Sequence, residues 1–270
     1  MTITTASKTH KVEPRRLLTG VVLGTLLLLS CGSLAADQQP KDAIHPPKVI
    51  FFDVIETLLD LQAISASAGK ALDGRTDLVP LWFATMLQYS MVDTLTGNYS
   101  EFADIGAAAL QMVAAENKLP LTQDEARAAI RGPIRTLPPH HDVEPGLKTL
   151  KEMGFILVTL TNSSEAGVSE QMRHAGLEEF FDRYLSIGEI KKYKPDLEVY
   201  KWAMAEMGVA PEDAMLFAAH HWDLMGGAAA GMQTVFVTRP GRVLYPLGTK
   251  PDVTVNGVEE LAEKLAATKD

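Results

Sequence analysis

From residue 146 onward, short apolar runs alternate with longer amphipathic segments, and few folds accommodate that rhythm. GLKTLKEMG reads as a helix, FILVTLTN as a strand, SEAGVSEQMRHAG as a helix and YLSIGEI as a strand. LEVYKWAMAEMG then reads as a helix, AMLFAAHH as a strand and DLMGGAAAG as a helix. MQTVFVTRPG reads as a strand, and EELAEKLAAT closes as a helix. Strands that are apolar throughout must be covered on both faces. Helix and strand joined this closely predict an α/β fold, a Rossmann-like parallel sheet packed between helices.

One more strand stands upstream. KVIFFDV, at 48–54, is rich in Val, Ile and Phe and is bounded by Pro47 and a polar turn. Between it and the alternation, residues 62–136 read as helical. DLVPLWFATMLQYSMVDTL has apolar groups three and four residues apart, and NYSEFADIGAAALQMVAAENKL and TQDEARAAIRGPI follow. Ser100 stands ahead of an acidic first turn and is the expected helix cap there. The expected organisation is an α/β core made of 48–61 and 137–270, with a helical cap subdomain, 62–136, inserted after the first strand.

The first 36 residues have a different composition. Lys8, Lys11, Arg15 and Arg16 precede LLTGVVLGTLLLL, an uncharged run of 13 residues. That is short for a bilayer span but suits the apolar region of a signal peptide, with small residues for cleavage near Ala35 or Ala36. LLSC also resembles a lipobox, which would make Cys31 a lipidated terminus. The protein is thus expected to be exported, periplasmic or anchored to the envelope, with 37–47 as a linker. Any membrane association would run through the N-terminal signal or lipid anchor.

Cys31 is the only cysteine, so a disulfide or thiolate metal site within the mature fold is excluded. A net charge of −9 offers no basic face for nucleic acid. The expected partner is a small-molecule substrate, and a homodimer is compatible with the sequence.

In open parallel sheets, ligands bind beyond the carboxyl ends of the strands. Those ends deliver Asp53, the pair Thr161 and Asn162, the lysines 191, 192 and 194, and the stretch His220–Asp223. Adjacent histidines on a strand point to opposite faces, so His220 and His221 make a poor zinc site. By itself, this set indicates a hydrolytic α/β enzyme with an aspartate in its site.

FFDVIETLLD (51–60), VTLTN (158–162), KKYKPDLEVY (191–200) and HHWDLMGGAAAG (220–231) resemble, in order and spacing, the four motifs of the haloacid dehalogenase superfamily. The resemblance covers roughly 48–262, cap included, and is closest to the type II L-2-haloacid dehalogenases. It implies an ester-forming nucleophile at Asp53, held ionised and oriented by Lys194. Thr57 and Thr161 would donate hydrogen bonds to Asp53 or to the substrate carboxylate, and Asn162 would help seat that group. Asp223 would pair with Lys194 and position the hydrolytic water.

Departures from the motifs sharpen the expectation. Phosphatases of the superfamily carry an acid two residues after the nucleophile, where this chain has Ile55, facing substrate without a proton to give. Their usual carboxylate four residues before Asp223 is Ala219. No cofactor is therefore expected, Mg²⁺ entering only if the protein is a phosphatase. The dehalogenase branch usually has an arginine after LW in the cap, where Trp82 is followed by Phe83. A larger or less anionic substrate met by Trp82, Phe83, Met86 and Tyr89 would fit that change. His220 would replace a polar contact, or act as a base if neutral. The leading expectation is a 2-haloacid dehalogenase-like hydrolase. The alternatives are a Mg²⁺-dependent phosphatase and an idle binding protein that keeps the fold.

Overall fold

A computed structural model describes residues 44–268. The expected signal peptide and cleavage site, Cys31 and residues 37–43 of the expected linker lie outside them. β1 (Val49–Phe52) is followed by four helices, α1 (Gln62–Ala71), α2 (Val79–Thr96), α3 (Phe102–Glu116) and α4 (Gln123–Arg131). The alternation then runs α5 (Val143–Glu152), β2 (Ile156–Thr161), α6 (Glu165–Ala175), β3 (Arg183–Ser186) and α7 (Leu197–Met207). It ends with β4 (Ala214–Ala218), α8 (His221–Ala229), β5 (Gln233–Val237), β6 (Val253–Val255) and α9 (Val258–Ala266).

The six strands form one parallel sheet in the order β3-β2-β1-β4-β5-β6. The chain winds outward from β1 to one edge, returns to β4, and winds to the other edge. The reversal falls between β1 and β4, where parallel α/β sheets open their ligand crevice. β1, with every residue buried, lies in the middle of the sheet, and Asp53 follows it directly at that crevice.

Helices α1 to α4 pack on one another, and their buried apolar residues join those of the sheet in one continuous cluster. Trp82 donates its indole N–H to Gly106 O at 2.8 Å, and Met86 and Ile130 pack so closely on Gly106 that a side chain there would overlap Met86. α4 opens with a reciprocal cap between Thr122 and Glu125. The helical insertion grips the core through the loop before α7. Tyr193 donates its hydroxyl to Ser100 O and its backbone N–H to Thr94 Oγ1, and its ring stacks on Tyr99.

Several local readings are corrected. The residue before α3 is Glu101, without a side-chain cap, and Ser100 lies one residue too early, its carbonyl accepting the Tyr193 hydroxyl. β3 stops at Ser186, whose hydroxyl bonds Ser163 O and Gly188 N–H and turns the chain. His220 and His221 are not on a strand: β4 ends at Ala218, and His221 begins α8. The short edge strand β6 went unread, since VTV is too brief to signal by periodicity. Among the described residues, no helix is long and apolar enough to cross a membrane.

Candidate active site

Asp53 is almost fully buried, and its two oxygens have different partners. Oδ1 accepts a hydrogen bond from Lys194 Nζ at 2.8 Å, and Oδ2 accepts one from Thr57 Oγ1 at 2.6 Å. Thr57 arrives there because residues 54–59 curl tightly, with Leu58 and Leu59 both donating backbone N–H groups to Val54 O. The same Thr57 hydroxyl accepts from Ala219 N–H at 2.9 Å, which ties the end of β1 to the end of β4.

Lys194 spends all three of its protons within the protein. They go to Asp53 Oδ1, to Leu160 O at 2.9 Å and to Asp223 Oδ2 at 2.6 Å. Asn162 Oδ1 accepts the Lys194 backbone N–H at 3.2 Å and so fixes the lysine's own position. Asp223, in the first turn of α8, has no exposed surface, and its Oδ1 accepts from Tyr200 O–H at 2.6 Å. Gly226 permits that contact, because a Cβ there would lie within 3 Å of the Tyr200 ring.

Burial acts against every charge in this cluster, and the partners decide each outcome. It pushes the Asp53 carboxyl up, but the Lys194 ammonium and His220 outweigh it and hold Asp53 well below the usual carboxylate range. It pulls Lys194 down, yet Asp223 and Asp53 together raise the ammonium above its ordinary value. Asp223 is raised, by burial first and by Asp53, against the pull of Lys194. Burial and Asp223 push Tyr200 far above the usual phenol value, so it stays a donor. The chemical result is an ionised Asp53 with little water around it.

His220 adds a second charge chain. Its Nε2 lies 2.6 Å from Glu56 Oε2, and its Nδ1 lies 3.5 Å from Asp53 Oδ2 without a hydrogen-bond partner. Burial lowers the imidazole's proton affinity, but Asp53 and Glu56 reverse that and raise its pKa to about 9. Glu56 adopts φ 65°, a left-handed conformation that a non-glycine residue occupies at a cost, and strain of this kind gathers at functional sites. Its other oxygen pairs with Arg242. Phe83 stacks on His220 at 6.1 Å and lies beneath the Arg242 guanidinium at 5.9 Å.

The family described as haloacid dehalogenase-like hydrolases matches residues 100–237. An (S)-2-haloacid dehalogenase of Pseudomonas sp. (strain CBS-3) is 30% identical over 197 residues, 73% of this chain and 86% of that protein. The chain belongs to the haloacid dehalogenase-like hydrolase family. An (S)-2-haloacid dehalogenase of Pseudomonas sp. (strain YL) is 29% identical over 217 residues, covering 80% of this chain and 93% of that one. The L-2-haloacid dehalogenase of Xanthobacter autotrophicus, solved with chloropropionic acid covalently bound, matches with a TM-score of 0.74 at 20% identity. That match covers 82% of this chain and 98% of that one, and it speaks for the fold.

For a haloacid dehalogenase-like hydrolase, the placement of the expected site residues is informative. Asp53, Ile55, Phe83, Thr161, Asn162 and His220 border a space of about 20 Å³, room for roughly one water-sized group. Leu87, Phe102 and Trp222 complete it, and the sequence had not singled them out. Thr161 Oγ1 accepts Ser163 N–H at 3.1 Å and makes no hydrogen bond to Asp53. Trp82 and Met86 do not line the site: both are buried in the helical insertion against Gly106. Tyr89 does not line it either, lying on the outer surface of α2 at 39% exposure.

Two expected roles are corrected. Asp223 is poorly placed to position water, because it is wholly buried with both oxygens held by Lys194 and Tyr200. His220 is not a neutral base in the resting site but an imidazolium. His221 is separate from the site chemistry. Its Nδ1 accepts Tyr245 N–H at 2.7 Å and its Nε2 bonds Thr249 O at 2.8 Å, so it anchors the loop after β5.

Mg²⁺ fits these residues badly. Asp53 and Asp223 give their oxygens to protein donors, and Ala219 offers no side-chain oxygen where a further ligand would be needed. Among the described residues, no group of three or more His, Cys, Asp or Glu side chains is arranged to hold a metal ion.

Glu56, Arg242 and Tyr200 were the functional neighbours missed. Glu56 and Tyr200 lie inside the recognised motifs and could have been questioned as buried polar groups. Arg242 had no sequence signal, since only the folded loop brings it over Phe83.

Proposed function

We propose that the protein hydrolyses the carbon–halogen bond of 2-halo acids, with Asp53 as the nucleophile. The observation that carries this reading is an ionised Asp53, oriented by Thr57 and Lys194, at the base of a small space bordered by Ile55, which cannot donate a proton. The names of the curated relatives point the same way.

In the first step an Asp53 oxygen attacks C2, the carbon–halogen bond breaks, and halide departs with its electron pair. No proton is needed for that departure. Thr57 and Lys194 hold the carboxylate in line, and His220 Nδ1 lies 3.5 Å from Asp53 Oδ2, on the side of the small space above it.

The second step cleaves the ester with water. Ester formation removes the Asp53 charge, one of the two carboxylates that raise the His220 pKa. The imidazolium therefore becomes more acidic and can release its Nδ1 proton, while Glu56 keeps hold of Nε2–H. Nδ1 is then a base beside the ester, able to take a proton from the attacking water. Lys194 steadies the negative charge that develops on the former Asp53 oxygen. A 2-hydroxy acid, halide and one proton result, with Asp53 restored.

Halide release from 2-halo acids, measured on purified protein with EDTA present, tests this. Release should proceed, and Asp53→Asn should reduce it by at least about 10⁴-fold while leaving the fold intact. Equal release by the variant, or none by the wild type, would overturn the proposal. We also propose export. Its support is the sequence of residues 1–36, and sequencing the N-terminus of protein recovered from the cell envelope would check it.

A further inference from the structure

The space above Asp53 shares Phe83, Leu87, His220 and Trp222 with a second cavity of about 600 Å³. Sites of roughly 300–1,000 Å³ accommodate drug-sized ligands. A two- or three-carbon acid held at Asp53 would leave most of this volume unfilled.

Beyond Glu56 and the end of β4, three elements supply walls. α1 contributes Ser65, α2 contributes Val79, Ala84 and Leu87, and the loop after β5 contributes Val243 and Leu244. That loop is fixed by construction, since His221 binds it at both Tyr245 and Thr249.

The charged groups at the cavity have partners within the protein. Glu56 pairs with Arg242 and His220, the Arg242 guanidinium lies over the Phe83 ring, and His220 rests against Asp53. His221 has both ring nitrogens engaged with backbone. No unpaired charge therefore calls for a counter-charge on the ligand, and the remaining surface is mostly apolar.

We propose that this cavity is the subsite for an apolar tail, and that the preferred substrates are 2-halo carboxylic acids carrying several further carbons. The inference rests on the dehalogenase reading for its reacting group and on the cavity for its tail. A tail seated there would also cover Phe83 and Trp222 and exclude water from the entrance to Asp53.

Binding and turnover test the two parts separately. Inert acids are titrated calorimetrically into purified protein: propanoate, hexanoate and hexanedioate. Each buried methylene is worth roughly a fourfold gain in affinity. Hexanoate should therefore bind at least about tenfold more tightly than propanoate, and hexanedioate more weakly than hexanoate. Ala84→Trp, which fills the cavity from α2, should erase the advantage of hexanoate and leave propanoate unaffected. Ser65→Leu, filling it from α1, is the second variant should the first not fold. Equal or undetectable affinities, tighter binding of hexanedioate, or filled variants that keep the chain-length preference would each overturn the subsite.

Halide release from 2-bromopropanoate and 2-bromohexanoate, with Asp53→Asn as control, reports on the reaction. A binding preference without release retains the subsite and rejects the dehalogenase reading. Release without any preference for the longer chain does the reverse.

Discussion

His220 Nε2 stands 2.6 Å from Glu56 Oε2, a buried charge pair immediately beside the nucleophile. The folded protein holds the imidazole proton with a pKa of about 9, against an ordinary 6.5. Folding therefore tightens proton binding, and the resulting stabilisation is complete below about pH 6.5. It is lost as the pH rises through about 9, and amounts to at most about 3 kcal/mol. Thermal denaturation across that window should show a falling Tm, and His220→Gln should flatten the fall. A wild-type Tm that holds constant there would contradict the assigned charge state.

Lys194→Met keeps the length of the side chain and removes its charge. Two buried carboxylates, Asp53 and Asp223, would then lose the cation between them, leaving Asp53 only the His220 imidazolium 3.5 Å away. Breaking a buried pair in this way costs about 3–5 kcal/mol. Chemical denaturation should register that loss, and lowering the pH should recover part of it as a carboxyl takes up a proton.

Tyr200→Phe deletes the hydroxyl that donates to Asp223 Oδ1. The carboxylate has no exposed surface from which water could replace the bond. A stability loss of about 1–3 kcal/mol is expected in denaturant titration. A change near zero would mean that Lys194 alone satisfies Asp223.

Trp82→Phe separates packing from substrate contact. The indole donates to Gly106 O inside the helical insertion and does not border the space above Asp53. The variant should unfold about 1–3 kcal/mol more easily for want of that buried bond. Its kcat/KM per folded molecule should match the wild type. A large loss of kcat/KM at full stability would return Trp82 to the site.

Apart from β6, the sheet was legible because its strands fall in short apolar runs and the helices between them carry their own periodicity. Asp53, Thr161, Asn162 and Asp223 were legible because strand ends meet at one edge of such a sheet. Facing directions within the helical insertion were not. Trp82, Phe83, Met86 and Tyr89 share helical spacing, yet Phe83 meets His220 while Trp82 and Met86 meet Gly106, and spacing along α2 does not say which of its faces α3 will cover. Arg242 was equally hidden, because its partner Glu56 lies 186 residues away and belongs to another loop.

Tyr193 precedes Lys194 in the chain and is clasped by Ser100, Thr94 and Tyr99 of the helical insertion. The residue that steadies the nucleophile is thus one peptide bond from the residue that fastens the insertion to the sheet. Any hinge motion that lifts α2 and α3 must either release Tyr193 or pull on the backbone of Lys194. A displacement of those helices would therefore reach Asp53 through that one step of chain, like a latch whose bolt also carries the spring.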